Sequence, residues 1–203
     1  MYNVYCVKWG DKYNRDFVTR LKDNVESNTT LDIKFWCYTD QPESEYDIPV
    51  KYPYLRGVWH KLALFEFTGP SIFFDLDIHI KKNIDFLFTY SQEFTLIDSS
   101  RWKSKRCDEL HVATVFDKDI FRFRLYNDTR VNSSFMRWYD SRSIFKNFLS
   151  NRDTHLRLYN GIDGFIYNEN VSYRLLKDIH VASWQQKEPD DEAPIFLWNQ
   201  RYD

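Results

Sequence analysis

The sequence predicts an α/β domain in which a mixed, mostly parallel β-sheet of the Rossmann-like type is flanked by helices. An apolar strand at residues 3–7 is followed by apolar positions at helical spacing in residues 14–27 and by a second strand at 33–38. A β-α-β unit this early in the chain favours parallel strands. The length of 203 residues fits one domain over residues 1–203, alone or within a longer polypeptide.

The rest of the chain continues this pattern with short elements. The local sequence predicts a short helix at 58–67, an element at 84–88, strands at 94–97, 121–125 and 130–136, a helix at 143–149 and a turn at 160–164 that opens a short helix. The polar segment 99–119 contains a basic cluster, which is interpreted as a solvated loop rather than a phosphate site: Arg101, Lys103, Lys105 and Arg106.

Two acids one residue apart stand out in residues 71–80, where an apolar run leads into Asp75 and Asp77 and then into alternating Ile-His-Ile. The stretch is typical of a buried strand, in which residues i and i+2 point to the same side. The two carboxylates would then lie together at a strand end and offer the oxygen ligands that Mg²⁺ and Mn²⁺ prefer. The alternative is a solvated turn, which the apolar residues on both sides disfavour.

Composition limits the classes of function. The formal net charge of −2 gives no reason to expect binding to nucleic acid or an anionic membrane. Cys6, Cys37 and Cys107 lack metal-site spacing, and the first two lie in apolar, strand-like runs. We therefore expect reduced thiols and a cytoplasmic protein, with no signal peptide at the amino terminus and no transmembrane segment.

Six segments in the same order resemble small GT-A glycosyltransferases of the glycogenin-like, metal-dependent group. The most specific is Trp-x-Lys-Leu followed by an apolar strand and Asp-Leu-Asp, and the resemblance spans nearly the whole chain. The segments are Gly10-Asp11-Lys12-Tyr13, Cys37-Tyr38-Thr39-Asp40, Trp59-His60-Lys61-Leu62, Phe74-Asp75-Leu76-Asp77, Asn132-Ser133 and Gly161-Ile162-Asp163.

The resemblance implies an enzyme that transfers a sugar from a UDP-sugar donor to a hydroxyl acceptor such as a glycan. Tyr13 would lie over the base, and Asp11 and Asp40 would help to form the nucleoside pocket. Lys61 would approach the donor phosphates or the sugar, where a cation stabilises the negative charge that develops on the leaving nucleoside diphosphate. A simpler interpretation of Lys61 is a helical lysine that reaches solvent.

The resemblance also implies a Mn²⁺ or Mg²⁺ ion held against the diphosphate by Asp75 and Asp77. Asn132 and Ser133 match a segment that lines the sugar pocket. Asp163 matches an acid that faces the transferred sugar or the acceptor, where a carboxylate can stabilise an oxocarbenium-like centre or act as a base. Asp163 lies between glycines, so a turn-forming role is the alternative.

One departure from the family pattern concerns the metal site. The related enzymes usually have a His-Gly pair near the carboxyl terminus, whereas here Asn199 stands at or near the His position and no His follows His180. Asn199 would contribute a carbonyl oxygen, or water would replace it.

Two alternative functions stay open: a non-catalytic nucleotide-sugar or glycan-binding domain, and a metal-dependent nucleotidyltransferase or phosphohydrolase. The last leaves Tyr13, Lys61 and the Asn-Ser segment without a role.

Overall fold

The computed structural model describes residues 1–89, 92–100, 130–159, 161–169, 171–176, 180–183 and 191–197. Three of the sequence predictions lie outside these residues: the metal ligand Asn199, the basic cluster at 101–106 and the strand at 121–125.

A seven-stranded sheet with the order β3-β2-β1-β4-β7-β6-β8 forms the centre of the described structure, and β5, β10 and β9 form a smaller sheet. In the large sheet only β7 runs antiparallel to its neighbours, so the predicted mixed, mostly parallel sheet is confirmed for the described residues. The strands are β1 (Tyr2–Lys8), β2 (Ile33–Thr39), β3 (Asp47–Pro49), β4 (Ser71–Phe74), β5 (Ile78–Ile80), β6 (Thr95–Asp98), β7 (Val131–Trp138), β8 (Arg174–Leu176), β9 (Val181–Ser183) and β10 (Ile195–Leu197).

Helices cover both faces of the large sheet. The predicted first helix is present, and its Val18, Leu21 and Val25 are buried at the spacing that the sequence indicated. Among the described residues no helix is both long enough and apolar enough to span a bilayer. The helices are α1 (Arg15–Ser27), a 3₁₀ helix (Gly57–Glu66), α2 (Asp85–Thr89), α3 (Arg142–Ser150), α4 (Arg152–Leu158) and α5 (Ile162–Asn168).

Strand alternation in the large sheet separates the buried apolar residues on its two sides into different core clusters. In β1, Val4 and Cys6 pack on the side of α1 and β5, whereas Tyr5 packs on the side of the 3₁₀ helix, α3 and α5. The first core also contains Cys37, and both cysteines are free and fully buried, as predicted. The sheet is therefore the middle layer of a three-layer α/β/α arrangement.

The sheet topology determines where polar side chains can gather. The chain moves outward through β2 and β3 on one side of β1 and resumes with β4 on the other, which makes the carboxyl ends of β1 and β4 a topological switch point. Because β7 is antiparallel to β4, the amino end of β7 lies at the same edge. The register between β6 and β7 also shifts there, from Leu96–Met136 to Ile97–Asn132, which leaves residues 133–135 as extra residues in β7.

The single strand predicted over residues 71–80 is wrong. β4 ends at Phe74 and β5 begins at Ile78 in the other sheet, with residues 75–77 forming a turn between them. The Asp75 N–H still donates to the Ser134 carbonyl (2.8 Å), and the Ile78 N–H closes the turn on the Asp75 carbonyl (3.3 Å). The apolar residues on both sides are buried because they belong to two different sheets.

The loop between β2 and β3 is held by the Asp47 carboxylate. It pairs with the Arg15 guanidinium (2.9 Å) and accepts hydrogen bonds from the Glu43 N–H (2.7 Å) and the Ser44 N–H (2.8 Å). Burial opposes ionisation, but these hydrogen bonds outweigh it and lower the pKa of Asp47.

We predict that Asp47→Asn lowers the free energy of unfolding by about 1–3 kcal/mol, since it weakens charge-assisted bonds to a buried side chain. At this chain length the loss corresponds to roughly 2–12 °C in Tm.

The stabilisation by Asp47 should also depend on pH, because its pKa is lower in the folded state than in the unfolded state. The stabilisation is fully present above the pKa of the unfolded state, about 3.9, and is lost as the pH falls through the pKa of the folded state. The Tm difference between wild type and variant should therefore shrink in acid. The exposed Asp32, changed to Asn, is the control, and equal melting of all three proteins at pH 7 would contradict the prediction.

Candidate functional site

A cleft opens at the carboxyl ends of β1 and β4, which is the topological switch point of the sheet. Its walls come from the loop after β1, the start of the 3₁₀ helix and the turn after β4. Four of the predicted site residues lie in this wall. The lining residues are Val7, Trp9, Lys12, Tyr13, Gly57, Val58, Lys61, Asp75, Leu76 and Asp77.

Lys61 is buried at the base of the cleft and forms an ion pair with Asp75. Its Nζ lies 2.8 Å from Asp75 Oδ1 and 2.9 Å from Oδ2, and it also donates to the Ser133 carbonyl (3.2 Å). Residues 59–65 of the 3₁₀ helix are all buried, so the Lys61 side chain is directed inward and is only 6% exposed. The alternative of a lysine that reaches solvent is therefore wrong.

Asp77 lies on the other side of the same turn and is held by Tyr13. The Tyr13 hydroxyl donates to Asp77 Oδ2 (2.9 Å) and accepts from Lys12 Nζ (2.6 Å). Burial, and then the negative charge of Asp75, raise the pKa of Asp77, while Tyr13, Lys12 and Lys61 oppose the rise. The turn thus brings two carboxylates close enough to repel each other.

The donor set of this turn suits a hard divalent cation. Asp75 and Asp77 offer carboxylate oxygens at the cleft, and a cation between them would relieve the repulsion that raises the pKa of Asp77. Within the described ranges, no group of three or more His, Cys, Asp and Glu residues is arranged to hold a metal. A cation here would therefore take further ligands from water and from a bound phosphate, which is usual for Mg²⁺.

Asp163 and the Asn-Ser segment are joined to this site through β7. Asp163, half-buried in the first turn of α5, accepts a hydrogen bond from the Ser133 N–H (2.9 Å), and the Ser133 carbonyl and hydroxyl accept from Lys61. Asn132 Oδ1 accepts from the Ser134 N–H (2.8 Å). The extra residues of β7 thus connect Asp163 with Lys61 and Asp75, although these residues are far apart in the sequence.

The two acids predicted for the nucleoside pocket lie outside the lining of the cleft. Asp40 follows β2 and accepts hydrogen bonds from the Gly10 N–H at 3.1 and 3.3 Å, which fixes the loop after β1. Gly10 has φ +65°, a conformation that favours glycine. Asp11 is exposed in the same loop, and its carboxylate accepts no hydrogen bond from a described residue.

Sequence reasoning missed several residues of the cleft wall. Trp9 and Lys12 belong to the loop after β1, and Gly57 and Val58 begin the 3₁₀ helix. The position of these loops could have identified them. The loops that follow β1 and β4 meet at the switch point, so every side chain in them was a candidate for the site.

Comparison with protein-family models gives no match, and comparison with curated proteins gives none. Solved structures do match. The galactosyltransferase LgtC, in complex with donor and acceptor sugar analogues, is similar with a TM-score of 0.62 at 10% identity, over 97% of this chain and 86% of LgtC. Mouse xyloside xylosyltransferase 1 is similar with a TM-score of 0.59 at 9% identity, over 98% of each chain. The glycosyltransferase GlyE of Streptococcus pneumoniae has a TM-score of 0.62 at 10% identity, over 98% of this chain and 56% of GlyE. The chain therefore has the GT-A fold that these glycosyltransferases share.

Proposed function

We propose that the protein is a metal-dependent glycosyltransferase that moves a sugar from a UDP-sugar to a hydroxyl acceptor, with a glycan as the acceptor class. The observation that supports this most is the buried ion pair of Lys61 and Asp75 beside Asp77, in a cleft at the switch point of the sheet. The fold similarity to LgtC, whose structure contains donor and acceptor sugar analogues, agrees with the proposal.

The chemistry to be assisted is departure of a nucleoside diphosphate from the sugar. Lys61 is held by Asp75 and Ser133, so its ammonium is oriented before any ligand arrives. Such a preoriented cation stabilises developing negative charge without reorganisation during the reaction. A divalent cation held by Asp75 and Asp77 would supply further positive charge to the diphosphate.

Asp163 supplies the negative charge on the sugar side of the reaction. Its carboxylate is oriented by the Ser133 N–H, and through Ser133 it is linked to the Lys61 end of the cleft. A carboxylate in this place can stabilise positive character at the anomeric carbon or accept a proton from the acceptor hydroxyl. Both roles need the ionised form.

The proposal predicts release of UDP when the protein is incubated with a panel of UDP-sugars, Mn²⁺ and hydroxyl acceptors. Chromatography of the nucleotide products separates the competing functions. UDP together with a glycosylated acceptor supports the proposal, whereas UMP or pyrophosphate indicates a phosphohydrolase or nucleotidyltransferase. Binding of UDP-sugar without turnover of any donor would indicate a binding domain. If UDP-sugars were neither bound nor turned over, the donor-site proposal would be contradicted.

We predict that Asp163→Asn lowers kcat by roughly 100-fold or more, the usual size of a positioned acid–base contribution. The amide oxygen of Asn can still accept the Ser133 N–H, so the fold and the KM for the donor should change little. Steady-state kinetics measures kcat and KM, and thermal unfolding of the same preparation tests whether the fold is retained.

Asp32→Asn is the matched control for this substitution, because it removes one exposed carboxylate remote from the cleft. If Asp163→Asn turned over the donor at the wild-type rate, Asp163 would have no part in the reaction beyond holding Ser133.

A further inference from the structure

We propose that Trp9, rather than Tyr13, provides the surface on which the base of the nucleotide donor stacks. The inference rests on the proposed function, since it assigns the base end of a nucleoside diphosphate whose phosphates lie at Asp75 and Asp77. It concerns binding of the nucleotide, so it can be tested separately from sugar transfer.

Trp9 is placed at the cleft by the end of β1. It follows Tyr5 and Val7 on the face of the sheet that packs against the 3₁₀ helix, one residue beyond the last residue of the strand. Its side chain lines the cleft together with Lys61 and Asp75, and it is 38% exposed. A large aromatic surface is therefore open to a ligand whose phosphates occupy the metal end.

The Trp9 ring is supported from behind by a fully buried imidazole. The ring centroids of Trp9 and His60 are 5.4 Å apart, and the His60 ring in turn packs against Tyr38 at 6.2 Å. Neither His60 ring nitrogen has a hydrogen-bond partner among the described residues, so His60 contributes its ring surface here. Burial lowers the pKa of His60, against the opposing effect of Asp40, and so favours the uncharged ring.

The backbone beside Trp9 is also fixed. Gly10 takes up the left-handed conformation and donates its N–H to Asp40, while Lys8 Nζ donates to Gln41 Oε1 (2.8 Å). Asp40, which lies outside the cleft wall, thereby acts on the site by positioning the loop that bears Trp9. A ring held on one face and in its backbone loses little conformational entropy when a base stacks on it.

Tyr13 is occupied by other contacts. Its hydroxyl donates to Asp77, Lys12 Nζ lies over its ring at 4.3 Å from the centroid, and the Phe17 ring packs at 4.9 Å. Stacking a base on Tyr13 would require Lys12 to move. The contact with Asp77 instead gives Tyr13 a role at the metal end of the cleft.

The test compares two ligands that share the diphosphate but differ in the base. UDP and inorganic pyrophosphate are titrated calorimetrically, each with Mg²⁺, into wild type, Trp9→Ala, Trp9→Phe and Tyr13→Leu. Trp9→Ala should weaken UDP binding by roughly 5- to 150-fold, the range for loss of one base–aromatic stack. It should leave pyrophosphate binding unchanged, and Trp9→Phe should lie between wild type and Trp9→Ala. Tyr13→Leu should weaken both ligands by the same factor, because Tyr13 acts through Asp77.

Three results would overturn the inference. The first is wild-type UDP affinity in Trp9→Ala, and the second is a loss in Tyr13→Leu that is confined to UDP. The third is an equal loss of UDP and pyrophosphate binding in Trp9→Ala, since that pattern means a collapsed cleft. If wild type itself bound pyrophosphate but not UDP, or neither ligand, the proposed donor would be wrong and not only the role of Trp9.

Discussion

The contact between Lys61 and Asp75 is the interaction on which the rest of the site depends. A lysine that is only 6% exposed loses most of its hydration, and Asp75 and the Ser133 carbonyl replace it. Removing one partner of such a buried pair typically costs about 3–5 kcal/mol, yet an apolar pair of the same shape is often no less stable. Stability alone therefore does not account for a charge at this place. A cation fixed at the base of a cleft does suit a polyanionic ligand.

This constraint explains features of the fold that look unrelated. Residues 59–65 of the 3₁₀ helix are all buried, and all of them except His60 and Lys61 are apolar. β7 must run antiparallel so that its amino end reaches Asp75, and its extra residues place the Ser133 carbonyl against Lys61. The turn after β4 then holds Asp77 beside Asp75, where their mutual repulsion favours a cation.

The sequence was sufficient for the elements with strong periodicity and for the residue types of the site. β1, α1 and β2 were predicted nearly to the residue because their apolar positions repeat clearly. The acid pair was identified, but it was assigned to a strand, whereas it lies in a turn between two sheets. The sequence shows only apolar residues on both sides of the pair, and this pattern is the same for one long strand and for two strands in different sheets. The links from Asp163 through Ser133 to Lys61 could not be predicted, because they join residues that only the antiparallel β7 brings together. Trp9 was missed because a single aromatic residue in a loop gives no periodic signal.

The proposed function depends on a divalent cation that Asp75 and Asp77 would hold and that would in turn hold a nucleoside diphosphate. Its most direct test is calorimetric titration of UDP at several Mn²⁺ concentrations, in wild type and in Asp77→Asn, which retains an acceptor for the Tyr13 hydroxyl. We predict that Mn²⁺ tightens UDP binding to wild type by at least about tenfold, or about 1.4 kcal/mol, and has little effect in the variant. UDP affinity that is the same with and without Mn²⁺ in wild type would contradict it.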